Sequence, residues 1–567
     1  MSGAVFLWLT ILFILNEFEV NFLVLIRGAG NVSYSAKMII VSPEIDFAIW
    51  LFALTTAIYT TVFSISRPNR IPTRKATGIF LSLWLTFPLI IGLLSSIRWT
   101  LNGFDGIQPF SDTSWNIAFL ELQATNIFQP ILPRLFVLFS AAWVLRLLFI
   151  PYEKTAKPFV TRIRNFLSLS IGENHRKRKF GKQSPKTIFI LSLIMALFIG
   201  IYPYLPALNP SSLLVSVDVS FYYSHMENSV NLDIFSFLSN IIQQDRALYL
   251  VFQQIIVTIA GSTDLAIRLI PAILGVLLTI SVYYFVSISS KDKHLAILAA
   301  LFTTTSFQIV AGINAGFYAN WLTLIELNIF LALFLKAIEY KKKISKYSII
   351  STILLVSILF THSATWIVVM ASLIIYTIIA FTRRNLKRHE TIIVSQIILI
   401  SIITELIKNN ILQSQSTTQI AQYMTPQFSY ANLLQVFRTL DVTFTYFLGG
   451  AYANPLILII ATIGLFHIAR NSQKLYQILL AITIVCTIGT FVTSAEFPEI
   501  FQSRFIYIIP FPVLAAFGLK AILDFSNNLF YKQIGTIGKA IPIMIQIIIF
   551  TSLLSYALRV VGYVYIL

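Results

Sequence analysis

Apolar runs of about 20 residues recur along the chain, each closed by a short polar or basic turn, and that is the length a helix needs to cross a bilayer. The period-2 alternation of a membrane β-barrel is missing. The pattern therefore predicts an all-α polytopic membrane protein with about 15 transmembrane helices. The first run, 4–26, is interrupted by Asn16-Glu17-Phe18-Glu19, which reads as a short helix with its acids at the interface. Later spans are expected at 46–65, 76–97, 126–150, 187–205, 267–289, 295–311, 318–338, 346–360, 364–381, 390–407, 446–469, 475–495, 505–523 and 541–567.

One apolar stretch does not fit. Residues 247–261 are short for a span, and Tyr249, Gln253, Gln254 and Thr258 recur at helical spacing on one face. An amphipathic helix lying flat on the membrane explains both features.

Charge then orients the spans. The chain has 41 Lys and Arg against 23 Asp and Glu, a net charge of +18, and the basic residues cluster in turns between spans. Arg67 to Lys75, Lys291-Asp292-Lys293, Lys341-Lys342-Lys343 and Arg383 to Arg388 mark cytoplasmic turns by the positive-inside rule. The strongest is the loop 151–186, with Arg176-Lys177-Arg178-Lys179 at its centre. Anionic lipid headgroups are its expected contact. It lacks interleaved aromatics, so nucleic acid is not an expected partner. This places the N-terminus inside, the C-terminus outside, and the long segment 206–266 on the outer face of the cell membrane. It also suggests three parts: a four-span module 1–150, the basic loop 151–186, and a larger membrane domain 187–567.

Composition agrees. Charged residues are 11% and hydrophobic ones 57%, with mean hydropathy +0.80, whereas soluble domains carry about 25% charged residues. The single Cys486 excludes a disulfide framework. The opening MSGAVFLWL lacks the basic stretch of a cleaved signal peptide, so none is expected. There is no P-loop, G-x-G-x-x-G, G-x-S-x-G or H-E-x-x-H motif. His225-Met226-Glu227 is the one close His/acid pair in the outer segments and lacks further ligands, so neither a metal nor a cofactor is expected.

Chemistry is left to polar residues at the outer span ends. Asp218 precedes Phe221-Tyr222-Tyr223, and a carboxylate beside aromatic rings can take a proton from a hydroxyl while the rings pack on a sugar. Taken alone, a loop aspartate or helix cap is the more ordinary reading. Arg246 opens the flat helix, where it can meet a phosphate headgroup. Arg504 opens a span on the outer side, against the positive-inside trend, with pairing to Glu496 or Glu499 as the structural alternative. His362 sits in a tight turn and reads as a cap. Asp264 and Arg268 are four apart and read as a structural pair.

The order of these residues resembles the membrane glycosyltransferases of the GT-C fold that use polyprenyl-phosphate sugars, such as protein O-mannosyltransferases and lipid A aminoarabinose transferases. The resembling residues are Asp218, Tyr222-Tyr223, Arg246-Ala247-Leu248-Tyr249, and Gly261-Ser262-Thr263-Asp264-Leu265-Ala266-Ile267-Arg268-Leu269-Ile270-Pro271. Further on, Leu359-Phe360-Thr361-His362 and Arg504-Phe505-Ile506-Tyr507-Ile508-Ile509-Pro510 resemble later family segments. The prolines that usually follow the basic residue are absent after Arg246, and Val219 stands where many members have a second acid.

The resemblance covers roughly 187–525 and implies a GT-C-like core whose first outer loop contains interfacial helices. It implies inverting transfer of a sugar from a polyprenyl (dolichyl) phosphate to a protein, lipid or glycan acceptor. Asp218 would be the base, and Tyr222, Tyr223, Arg246, His362 and Arg504 would bind substrate. Two alternatives stay open at this point. A transporter or lipid flippase would use intramembrane charges such as Glu17, Glu19, Glu326, Glu405 and Arg559. An inactive scaffold would keep the fold without the chemistry.

Overall fold

The computed structural model describes residues 185–562, apart from 207, 211, 230–231, 243, 245, 341–344, 412–442, 444–455, 470–472, 491–497 and 535–539. The expected module 1–150, nearly all of the basic loop 151–186, and Glu17 and Glu19 lie outside the described residues. Every regular element described is helical.

The helices are α1 (Pro185–Ile201), α2 (Val219–Ser229), α3 (Ile234–Ile241), α4 (Ala247–Ala260), α5 (Thr263–Ser290), α6 (Lys293–Thr304), α7 (Phe307–Ala315) and α8 (Tyr318–Glu339). After them come α9 (Lys346–Thr361), α10 (Ser363–Thr382), α11 (Arg388–Ile411), α12 (Leu456–Ala469), α13 (Lys474–Gly489), α14 (Pro498–Ile508), α15 (Phe511–Ile534) and α16 (Ala540–Gly562). Among the described residues seven helical segments are long and apolar enough to cross a membrane, or eight if α14 and α15, bent by 48° at their junction, form one broken span.

Why the chain folds back at each turn is visible in the caps. Gly261 and Gly316 end α4 and α7 in the left-handed conformation, where a Cβ is disfavoured. Ser262, Asp292, Ser345 and His362 accept backbone N–H groups at the starts of α5, α6, α9 and α10. The α6–α7 segment, buried along nearly all of its apolar length, is broken at Thr305-Ser306. The α14–α15 break falls at Ile509-Pro510, where Gln308 Nε2 donates to the freed Ile509 carbonyl at 3.0 Å.

Helices turn at two ends of the bundle, and the ends differ in chemistry. One end is tied by charges. Lys520 pairs with Asp292, Lys474 with Glu390 at 2.7 Å, and Lys291 with Glu339 at 3.2 Å. Burial raises the Asp292 carboxyl, but Lys520, the Leu295 N–H and His294 together hold it below its ordinary value. The other end carries the turn at Gly316, the α9–α10 turn at His362, and the helices α2–α4. Arg268 bonds Asp264 and the Ser212 carbonyl there, stacking over Tyr204, so that pair is structural as expected.

Small residues let the helices approach closely. A Cβ on Gly200 would fall 2.6 Å from the Ala272 nitrogen. Gly464 of α12 and Gly518 of α15 face each other so tightly that a Cβ on Gly518 would collide with the Ile460 carbonyl oxygen. Gly518→Ala should therefore force the helices apart at a cost of about 1–3 kcal/mol. The check is a lower apparent unfolding temperature in detergent, and an unchanged midpoint would contradict the packing.

The helix α4 departs from the sequence expectation in which way part of its polar face is turned. It has the expected non-spanning length, 14 residues, about 21 Å against a core of about 30 Å. Only half of its polar stripe faces protein, with Gln254 partly exposed and Thr258 exposed. Tyr249 and Gln253 are buried, while Ile255 and Ile259 are 51% and 78% exposed. The cause is local: Gln253 Nε2 donates to the Tyr222 carbonyl at 2.7 Å and Tyr249 packs on the Tyr222 ring at 5.0 Å. The short α3, capped by Asp233, has the more interfacial profile. Phe237 and Ile241 are buried, Ile234, Phe235, Leu238 and Ile242 are exposed, and Ser239 and Asn240 occupy the opposite flank.

Candidate functional site

The site grows from the turn that leads into α2. Ser216 adopts φ 120°, an uncommon conformation for a residue with a side chain. The turn is fastened by Val217 N–H donating to the Asn314 carbonyl at 3.1 Å. It also rests on Gly316, whose φ is +73°. A Cβ there would collide with Ser216 Oγ and lie 3.0 Å from the Asp218 Cβ. Asp218 thus sits at the α2 N-terminus, half-buried. Among the described residues its carboxylate has no hydrogen bond or ion pair.

One turn along α2, Tyr222 is fully buried and gathers the rest. Arg246 Nη1 donates to its hydroxyl at 2.6 Å, and the guanidinium lies about 6 Å from the Phe221 and Tyr222 ring centres. Tyr249 and Tyr318 flank the ring at 5.0 and 5.5 Å. Burial pushes the phenol pKa up, with Arg246 pulling against it, Asp218 adding to the rise and Arg504 opposing it. The phenol is therefore neutral. A guanidinium only donates, so Tyr222 accepts from Arg246 and its own proton is left for another acceptor.

Arg504, on α14, acts electrostatically on Arg246, Tyr222 and Asp218. It stacks on Phe317 with 3.9 Å to the ring centre and donates through Nη1 to Asn320 Oδ1 at 3.1 Å. Among the described residues it forms no ion pair; the side chains of Glu496 and Glu499, weighed as partners from the sequence, lie outside the described residues. Phe317 in turn meets Tyr507 edge-on at 5.4 Å, and Tyr507 donates to the Gln308 carbonyl at 2.6 Å. A small, mostly apolar cavity lies beside Tyr507, between Leu278, Leu324, Leu331, Ile482 and Pro510.

The structure therefore brings together Asp218, Tyr222, Arg246 and Arg504. It does not add Tyr223 or His362 to them. Tyr223 points to the other side of α2, where Glu227 accepts from its hydroxyl and raises its pKa. His362 is buried as the cap of α10, with Nδ1 accepting from Thr365 N–H at 3.2 Å. Lys408 lies nearby, donating to the Leu359 carbonyl at 3.3 Å. His225 and Glu227 diverge, His225 stacking on Phe221 with burial lowering its pKa. Among the described residues no three His, Cys, Asp or Glu side chains gather where they could hold a metal ion.

The intramembrane acids have local partners. Glu326 Oε1 accepts from Ser357 at 2.6 Å and Thr361 at 3.1 Å, joining α8 to α9. Glu405 accepts from Asn409 one turn along. Gly316, Phe317 and Asn320 are the functional neighbours that sequence reading passed over. The available signal was the sequence Gly316-Phe317-Tyr318-Ala319-Asn320 breaking an apolar run where a helix must turn.

Comparison with known proteins gives a family match. Residues 247–407 match the model of the family described as dolichyl-phosphate-mannose-protein mannosyltransferase. The match supports a membrane glycosyltransferase family of the GT-C type. It covers α4 to α11, including Phe317, Asn320 and His362, while Asp218, Tyr222, Arg246 and Arg504 fall outside it. No curated protein matches the chain.

Proposed function

We propose that this protein transfers a sugar from a polyprenyl (dolichyl) phosphate to an acceptor hydroxyl at the outer face of the cell membrane. The single observation that carries this reading is the convergence of two guanidiniums and one unpaired carboxylate on Tyr222. With Arg246 and Arg504 positive and Asp218 negative, the three side chains together carry a formal charge of +1. A phosphate monoanion or dianion suits it, and a neutral or cationic ligand does not.

Asp218 acts as the base. It takes the proton of the acceptor hydroxyl as the oxygen attacks the anomeric carbon. The bond from that carbon to the phosphate oxygen breaks, and the phosphate leaves with the electron pair. Arg246 and Arg504 stabilise the charge that develops on it, and the Tyr222 hydroxyl is placed to donate to the same group. A single displacement inverts the anomeric configuration. The lipid tail stays in the bilayer. The family match favours mannose as the sugar, and a protein, lipid or glycan supplies the hydroxyl.

The donor half of this reading is testable by photolabelling purified protein in nanodiscs with a diazirine-bearing polyprenyl phosphate. Labelling should be saturable, displaced by unlabelled polyprenyl phosphate, and untouched by the neutral polyprenol of equal length. Equal displacement by the polyprenol would show that no phosphate site is being read.

A further inference from the structure

The neighbour of Arg504 is an amide, and that choice has a chemical consequence. A guanidinium held between helices ordinarily meets a carboxylate, because a buried charge without a counter-charge is costly. Among the described residues Arg504 instead has the face of Phe317 and the Oδ1 of Asn320, both of which orient it without neutralising it. Asn320 is 2% exposed, and its Nδ2 has no hydrogen-bond partner. A buried amide nitrogen in that condition is rare and wants an acceptor. With Oδ1 turned to Arg504, the two Nδ2 hydrogens remain available in the same neighbourhood.

We infer that Asn320 is part of the anion site. Its carbonyl oxygen aims Arg504, its amide nitrogen is a further donor to the phosphate, and its neutrality reserves the guanidinium charge for the substrate. This rests on the glycosyl-transfer reading above. Asparagine is suited to all three tasks. Leucine would fill the space without aiming the guanidinium. Aspartate would keep the oxygen and form an ion pair with Arg504, which cancels the charge and replaces the donor by a repelling acceptor.

The two substitutions Asn320→Ala and Asn320→Asp separate this role from a structural one by their order. If Asn320 merely braces Arg504, aspartate is the milder change, since it keeps the bond to Nη1. If Asn320 reserves charge for an anion, aspartate is the harsher one. Polyprenyl phosphate binding to purified protein in nanodiscs should weaken about tenfold in Asn320→Ala and about a hundredfold in Asn320→Asp. The Asn320→Asp protein should unfold no earlier than wild type. Affinity in Asn320→Asp equal to or better than in Asn320→Ala would overturn the inference. Should Asn320→Asp fail to fold, Asn320→Ala binding like wild type would overturn it as well. Absence of binding by wild type would instead refute the donor assignment itself, so the two failures are distinguishable.

Discussion

Arg504→Gln should lower kcat/KM for a polyprenyl-phosphate sugar by about 10²–10³-fold, the range seen when one donor to a developing negative charge is removed. Glutamine keeps a hydrogen-bonding head but is neutral and shorter. It loses the stacking on Phe317 and the bond to Asn320. Because the phosphate gains charge as it departs, part of the loss should appear in kcat and the rest in KM. The like-charged Arg246, within electrostatic reach, keeps its own contribution to the phosphate, which leaves residual activity, but one cation does not replace two. Initial rates over a range of donor concentrations read both parameters. Wild-type values for both would remove Arg504 from the site.

Gly316→Ala should give the opposite kinetic split. Residue 316 has φ +73°, which costs an L-residue roughly 1–2 kcal/mol, and the added methyl would press on Ser216 Oγ and the Asp218 Cβ. The turn carrying Asp218 must then move. A displacement near 1 Å of a reacting group can cost about 10²-fold. Donor binding should survive, because Tyr222 is held separately by Gln253 and Tyr249 and Arg504 by Phe317 and Asn320. The expected result is kcat reduced by about 10²-fold with polyprenyl phosphate affinity nearly unchanged. A normal kcat would mean that the turn tolerates the methyl and does not position Asp218.

Helices were legible because apolar length and basic turns are properties of the sequence alone. Thus the expected 318–338 became Tyr318–Glu339 and 364–381 became Ser363–Thr382. Burial between helices was less legible, since a stripe of polar residues has the same period whether it faces water or a neighbouring backbone. That is why α4 turned its Gln253 inward against expectation. Likewise, two adjacent tyrosines look equivalent in sequence, yet a helix sends neighbours about 100° apart. Tyr222 joins Arg246 and Tyr223 joins Glu227. Arg504 was found because its position broke a charge rule. Asn320 broke none, and only its contact with Arg504 reveals it.

The flippase alternative has less to draw on among the described residues. Glu326 is engaged by two hydroxyls that link α8 to α9, as an interhelical hydrogen bond in a membrane protein would be. The scaffold alternative is addressed by activity itself.

The proposed transfer depends most on Asp218 as the base at a phosphate-leaving centre. The direct measurement is release of labelled sugar from polyprenyl-phosphate donor onto acceptor in membranes, comparing wild type with Asp218→Asn at equal protein level. Asparagine matches the shape of aspartate but cannot accept the proton. Transfer by wild type and a fall in kcat of about 10²–10⁴-fold in the variant are expected, with donor photolabelling retained. Full transfer by Asp218→Asn would contradict it.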